Sequence, residues 1–242
     1  MEWDIRRFGE LDSTNRWLLD AAREGAPEGT VAVADHQTAG RGRLGRVWVA
    51  PPGASLLVSI LLRPSLPPDR LHLATAAVAL SAAAALDDVA GFRPGLKWPN
   101  DLIVVGDGAA DRKLAGILTE IDGTAVVPGI GINVNWPAEL PEELASIATA
   151  ANHVAGRDID RDAVLDSMLA HLGRRYGDWT TVATEYRRSC ATLHRVVRVD
   201  LHDESFTGTA ADVTDDGHLI VETDACLRTI SAGDVVHLRP VS

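Results

Sequence analysis

Residues 37–48 read Gln37-Thr38-Ala39-Gly40-Arg41-Gly42-Arg43-Leu44-Gly45-Arg46-Val47-Trp48, with three arginines and three glycines in the seven positions from Gly40 to Arg46. Glycine at that density marks a loop between regular elements. Upstream, Val31–Asp35 reads as a strand running into it. Downstream, Ser55–Leu62 is a continuous apolar run closed by Arg63-Pro64, the pattern of a buried strand. Like charges about 7 Å apart repel by about 2–3 kcal/mol at an effective dielectric of about 20, less where water screens them. Gathering three arginines makes sense if an anion joins them. Glycine lets backbone N–H groups approach that anion, and each guanidinium offers a fork matched to carboxylate or phosphate. The loop is therefore read as an anion-binding lid, expected to be mobile when empty. It matches neither the Walker pattern nor a G-x-G-x-x-G opening a helix.

The chain has 242 residues, enough for one large domain, or for a domain of about 180 residues with a small appendage. A hydrophobic share of 46% is ample for a core, and the formal net charge of −11 argues against bulk affinity for nucleic acid. Cys190 and Cys226 show no metal-type spacing and suit a reducing compartment. The N-terminus lacks an apolar targeting segment, and the apolar stretches look too interrupted to span a bilayer. A soluble, cytoplasmic protein is expected.

Other elements follow from pattern. Ile5–Phe8 is a short strand, followed by a helix capped by Asp12 or Ser13 and stopped near Gly25. Leu71–Leu86, apolar almost all round, is a core helix. Lys97–Val105 and Lys113–Ile121 flank a polar turn at 106–111 and suggest a hairpin, with Thr124–Asn133 as a further strand. Arg161–Trp179 and Val182–Ser189 have helical spacing. After Cys190 five short strand candidates appear: Val196–Leu201, Ser205–Asp212, Leu219–Thr223, Leu227–Ser231 and Val235–Leu238. Turn residues at 215–217 and 232–234 separate some of them, which suggests a small barrel. The expected division is 1–190 and 191–242.

Four more segments could carry chemistry, each with a plain structural alternative. Lys97-Trp98-Pro99-Asn100-Asp101 offers a cation, an aromatic face, an amide and a carboxylate, the parts that hold a purine and a metal-bound phosphate; equally, Pro99 could end a strand and Asn100-Asp101 make a turn. Lys113-Leu114-Ala115-Gly116 and Gly129-Ile130-Gly131-Ile132-Asn133 place glycines inside strands, where a ligand or another group approaches the backbone, or where a bulge forms. Ser13-Thr14-Asn15 opens the first helix and could cap it or hold a polar ligand.

Taken in order, these five segments, spread over about 120 residues, resemble biotin protein ligases, which attach biotin to carboxylase carrier domains. The resemblance covers nearly the whole chain. It implies an α+β fold: a mixed β-sheet flanked by helices, of the class II synthetase-like kind, with a small C-terminal SH3-like β-barrel. It implies three small molecules, biotin, ATP and Mg²⁺, and a protein partner, the biotin carboxyl carrier domain of acyl-CoA carboxylase. Biotin's carboxylate attacks the α-phosphorus of ATP, so two anions must be brought together and their repulsion offset. By this resemblance Ser13, Thr14, Asn15, Gln37, Gly40, Arg41, Gly42, Arg43, Lys113 and Gly116 surround biotin. Arg46, Trp48, Asn100 and Asn133 belong to the ATP side. Lys113 and Arg43 are the expected catalytic cations, and closure of the arginine loop would keep water from the mixed anhydride.

One departure concerns members of the family that begin with a DNA-binding winged helix. Ser13-Thr14-Asn15 falls almost at the start of this chain, so repression and DNA binding are not expected. The rivals are a lipoate–protein ligase, which shares the architecture and the adenylation step, and a non-catalytic protein that sequesters biotin. The complete arginine loop and the Lys97–Asp101 block favour biotin. Retention of Lys113 with all three arginines favours catalysis.

Overall fold

The computed structural model describes residues 1–106, 110–201, 203–231 and 233–238. The turn expected at 106–111 therefore lies in part outside the described residues, as does Ala232 of the turn at 232–234. Seven strands form a mixed sheet in the order β1-β2-β3-β7-β6-β5-β4: β1 (Asp4–Leu11), β2 (Thr30–Gln37), β3 (Ser55–Ile60), β4 (Gly95–Lys97), β5 (Asp101–Val104), β6 (Arg112–Asp122) and β7 (Ala125–Asn133). Only β1 and β2 run parallel, joined by helix α1 (Thr14–Arg23); the other neighbours are antiparallel.

Strand periodicity gives the sheet two different faces. On β3, Leu56, Val58 and Ile60 enter the main core under helix α2 (His72–Ala90), while Ser55, Leu57 and Ser59 point the other way. Alanine, the strongest helix former, dominates α2, and Gly91 ends it in the left-handed conformation at φ +78°. By length and composition alone α2 could cross a bilayer, contrary to the expectation that every apolar stretch is too interrupted. However, most of the stretch Pro68–Ala90 that contains α2 is packed inside the fold. Helices α5 (Arg161–Arg175) and α6 (Trp179–Ser189) cover α2, and two short helices, α3 (Glu142–Ala145) and α4 (Ala151–Ala155), lie in the segment after β7.

Two expected elements are cut shorter than their spacing suggested. Lys97–Val105 is not one strand: β4 and β5 pair antiparallel, Gly95 opposite Ile103 and Lys97 opposite Asp101, so Trp98-Pro99-Asn100 is the turn between them. Proline lacks the N–H a continuous strand would need. The helix expected over Arg161–Trp179 stops at Arg175 because Gly177 adopts φ +97° and Asp178 caps α6, accepting from the Thr181 N–H at 3.1 Å.

Beyond Cys190, β8 (Val196–Asp200), β9 (Ser205–Val213), β10 (Leu219–Glu222), β11 (Leu227–Ile230) and β12 (Asp234–His237) make one antiparallel sheet in the order β11-β10-β9-β8-β12. Among the described residues β11 and β12 are its edges, without the pairing that would close a barrel. The sheet is tied to the turn before β5: the Trp98 N–H donates to Thr192 Oγ1 at 3.0 Å and the Trp98 indole N–H to Gly217 O at 2.9 Å.

Candidate active site

The site lies on the face of the large sheet opposite α2. Gly116 of β6 stands opposite Gly131 of β7, and Gly131 opposite Leu57 of β3. Two facing glycines leave a flat patch of bare backbone, and the Trp48 indole lies on it. A Cβ at Gly131 would stand 2.7 Å from Trp48 Cε2, and one at Gly116 would stand 2.9 Å from Lys113 Nζ and 3.3 Å from Trp48 Cζ3. All three distances are shorter than ordinary packing contacts, so neither position accepts a side chain without displacement. Gly129 is similarly placed, because a methyl there would run into Asn15 Oδ1. The strand glycines thus make room for Trp48, Lys113 and Asn15, side chains of the site itself.

Lys113 enters β6 with Nζ 2.7 Å from Asp101 Oδ1 and 5.6 Å from the Trp48 ring centroid. The Asp101 pairing bridges β5 to β6, so the Lys97–Asp101 block and the Lys113 segment meet in one place.

The arginine segment folds back on itself. The Trp48 N–H donates to Gly40 O at 3.0 Å and the Gly42 N–H to Arg46 O at 2.7 Å, with Leu44 at the tip in the left-handed region at φ +57°. Its three arginines diverge to three elements. Arg41 Nη2 reaches Glu120 Oε2 at 2.9 Å, Arg43 Nη1 donates to Asn100 Oδ1 at 3.1 Å, and Arg46 pairs with Asp234 of β12. Burial pulls the Arg43 guanidinium below its ordinary pKa; the charges of Asp234 and Asp101 oppose that shift, while Arg46 adds to it. An anion beside Arg43 would repay the burial of its charge.

At the other end the first turn of α1 carries a compact polar cluster. The Thr14 N–H and hydroxyl both point at Gln37 Oε1, at 2.7 and 2.9 Å. Ser59 Oγ lies 2.7 Å from Thr14 Oγ1 and 2.5 Å from Asn15 Oδ1. Asn15 Nδ2 donates to Leu118 O at 3.0 Å and to Glu120 Oε2 at 2.9 Å. The Leu118 carbonyl can only accept, which fixes the Asn15 amide with its oxygen toward Ser59. Two hydroxyl protons then serve three oxygen–oxygen contacts. Acceptors exceed donors, so this end suits a ligand that brings N–H groups.

Asn133, at the end of β7, accepts from Ser55 Oγ at 3.4 Å and donates to Thr149 O at 3.0 Å; the Trp136 indole N–H donates to Ser55 Oγ at 3.0 Å. Most of these side chains open onto one cavity of about 1590 Å³, with Ser55, Ser59 and Glu120 behind its wall. Pockets for a single drug-sized molecule run to about 1,000 Å³, so there is room for two substrates side by side. Ser13, Thr14, Asn15, Gln37, Arg41, Gly42, Arg43, Arg46, Trp48, Asn100, Lys113, Gly116 and Asn133 line it. Gly40, expected among them, does not. It sits at the base of the loop, where a Cβ would collide with Trp48 O.

The C-terminal sheet supplies the remaining rim. Arg195 Nη1 and His237 Nδ1 converge on Asp111 Oδ2 at 2.6 and 2.7 Å, and His237 Nε2 lies 3.0 Å from Thr192 Oγ1. Burial holds His237 below its ordinary pKa, partly opposed by Asp111, with Lys97 and Arg195 pushing the same way as burial. Burial pushes Asp111 up, but the His237 and Gly106 hydrogen bonds and the Arg195 charge outweigh it and bring the carboxyl down. Sequence reading missed Ser59, Glu120, Asp234 and His237. Ser59 alone left a signal, as a hydroxyl inside an apolar strand that must find a partner. Among the described residues no group of three or more His, Cys, Asp or Glu could hold a metal by itself. One pocket carboxylate, Asp101, fits a cation bound mainly through phosphate oxygens and water, the usual habit of Mg²⁺.

Comparison with known proteins agrees with this geometry. Residues 8–136 match the family model described as the biotin/lipoate A/B protein ligase family, and residues 192–238 match the biotin protein ligase C-terminal domain. The chain is 38% identical to a biotin–[acetyl-CoA-carboxylase] ligase of Mycobacterium tuberculosis, over 95% of this chain and 87% of that one. It is 34% identical to the bifunctional ligase/repressor BirA of Bacillus subtilis, over 93% of this chain and 71% of the relative. Among solved structures it superposes on the biotin protein ligase of Aquifex aeolicus in complex with biotin and ATP with a TM-score of 0.83 at 29% identity, covering 98% of this chain and 99% of the other.

Proposed function

This chain belongs to the biotin/lipoate A/B protein ligase family, and we propose that it joins biotin to ATP as biotinyl-5′-AMP and then transfers biotin to a lysine of a carboxylase carrier domain. It is a biotin–protein ligase; the intermediate and the acceptor are the proposal. One observation carries the reading. A single cavity joins an acceptor-rich cluster at Thr14, Asn15 and Gln37, backed by Ser59, to the cations Lys113 and Arg43 across the Gly116/Gly131 patch.

Biotin's cyclic urea brings two N–H donors, which the acceptor-rich end lacks. Its carboxylate, carried on a short chain, would then lie near Lys113. In the first step a carboxylate oxygen bonds to the α-phosphorus of ATP as the bond to pyrophosphate breaks. Negative charge crowds at that centre, and the Lys113 ammonium, held by Asp101 in the free enzyme, is the group to neutralise it. Arg43 and Arg46 would take up phosphate charge, with Trp48 and Asn100 beside the nucleotide and Asn133 on the same side. Mg²⁺, when bound, would offset phosphate charge, and Asp101 is the carboxylate that would hold it beside Lys113. In the second step the acceptor amine attacks the acyl carbon and AMP leaves; Arg41 and Gly42 belong to the loop that shields the anhydride until then.

The proposal extends to a catalytic unit over 1–190, a C-terminal unit over 191–242 that completes an SH3-like barrel, and a cytoplasmic setting. DNA binding forms no part of it, in keeping with the net charge of −11. A lipoate ligase would share the chemistry, but the match of 192–238 to a biotin protein ligase C-terminal domain favours biotin. The test is adenylate formation from α-labelled ATP without acceptor, with biotin and lipoate supplied separately. Biotinyl-AMP is expected. Lipoyl-AMP alone would move the chain to the sister activity.

A further inference from the structure

We infer that Glu120 is a positioning residue that ties the arginine loop to the acceptor-rich wall of the cavity. Glu120 follows Gly116 and Leu118 on the same face of β6, four and two residues on, and stands opposite Val127 in the sheet. It does not line the cavity. One of its oxygens, Oε2, receives both Asn15 Nδ2 and Arg41 Nη2, each at 2.9 Å. Its side chain is 24% exposed and that of Arg41 is 40% exposed. An ion pair at that exposure adds little to global stability. Its consequence is local. Asn15 sits in the first turn of α1, Arg41 on the loop, and Glu120 on the central sheet, so one carboxylate oxygen joins three segments that chain connectivity leaves independent.

The two contacts are not equivalent. The Asn15 amide keeps its orientation through Leu118 O even without Glu120, so the carboxylate adds restraint there rather than choosing the rotamer. Arg41 has no such second anchor on β6. Removing the charge while keeping an acceptor oxygen, as in Glu120→Gln, therefore weakens the loop tether more than the Asn15 contact. Glu120→Ala removes both.

Two measurements test this, and the first is independent of the proposed function. In the ligand-free full chain, trypsin followed by mass spectrometry reports cleavage after Arg43 and Arg46. Glu120→Gln and Glu120→Ala are expected to raise those rates about 2- to 5-fold over wild type, in line with the loss of a partly exposed ion pair. Equal rates would overturn the inference. The second measurement rests on the biotin reading. Glu120→Ala is expected to raise KM for biotin about 3- to 10-fold with kcat changed less than about 2-fold, and Glu120→Gln by a smaller factor. In the Arg41→Ala background, Glu120→Gln should add nothing further to either loop cleavage or KM. Fully additive effects would show that the two side chains act separately. A wild type that binds no biotin would sink the functional reading and leave the tether to be judged by proteolysis.

Discussion

Replacing Gly131 with alanine sets a known clash against a known escape. The new methyl would stand 2.7, 2.8 and 2.9 Å from Cε2, Nε1 and Cζ2 of Trp48. Ordinary carbon contacts lie near 3.5–4 Å, so the ring must withdraw by about 0.7–1 Å. Over-packing a rigid core costs about 1–3 kcal/mol. Trp48, however, belongs to a loop, and its indole nitrogen is buried with no hydrogen-bond partner to hold it in place. The ring can slide, so the cost should fall at the low end, about 1 kcal/mol, or about 2–4 °C in Tm for a chain of this size. Function should suffer more than stability. A nucleotide-side wall misplaced by that distance is expected to raise KM for ATP about 10-fold, while biotin affinity changes less than about 3-fold. Thermal unfolding, adenylation kinetics and biotin calorimetry read the three quantities. Trp48→Ala supplies the control, because Gly131→Ala should cost nothing further once the indole is gone. A loss of more than about 10 °C, or an unchanged KM for ATP, would refute the picture of Trp48 lying on the glycine patch.

Arg43→Gly removes a cation that donates to Asn100 from within the cavity; it is expected to release the reactive adenylate and biotinylate proteins promiscuously, and an unaltered pattern of labelled bands in a whole lysate would contradict that. Gly129→Ala drives a methyl into Asn15 Oδ1, so the thermal shift produced by biotin should vanish while the apo protein still folds cooperatively. Burial, helped by the neighbouring His218 charge, lowers His72 to about 4 from an ordinary 6.5. The folded state resists its protonation, so the stability it contributes is complete above pH 6.5 and is lost as pH falls toward 4. His72→Leu should flatten the fall in Tm across that window, and identical Tm–pH curves for variant and wild type would show that His72 does not govern it.

Much of the sheet was legible because its strands carry strong local patterns. Ser55–Leu62 is apolar apart from Ser55 and Ser59, and β3 is buried along its whole length. The divergence of Arg41, Arg43 and Arg46 to Glu120, Asn100 and Asp234 was not legible, since those partners lie 79, 57 and 188 residues away. The glycines were read correctly as points of close approach, but their sequence could not say that Trp48, Lys113 and Asn15 are what approaches. Residues 142–145 and 151–155 gave no signal, because helices of one turn lack the length for a periodic pattern. Helical spacing past Arg175 misled for the opposite reason: one glycine at φ +97° breaks a periodicity that the side chains continue.

The most direct measurement of the central claim is the intact mass of a purified biotin carboxyl carrier domain after incubation with this protein, biotin and Mg-ATP. The account predicts one added biotin per acceptor lysine with the wild type, and a rate lower by about 10²–10³ with Lys113→Ala, the loss typical of a charge-stabilising donor. An unmodified carrier domain with the wild type, or an undiminished rate with Lys113→Ala, would contradict it.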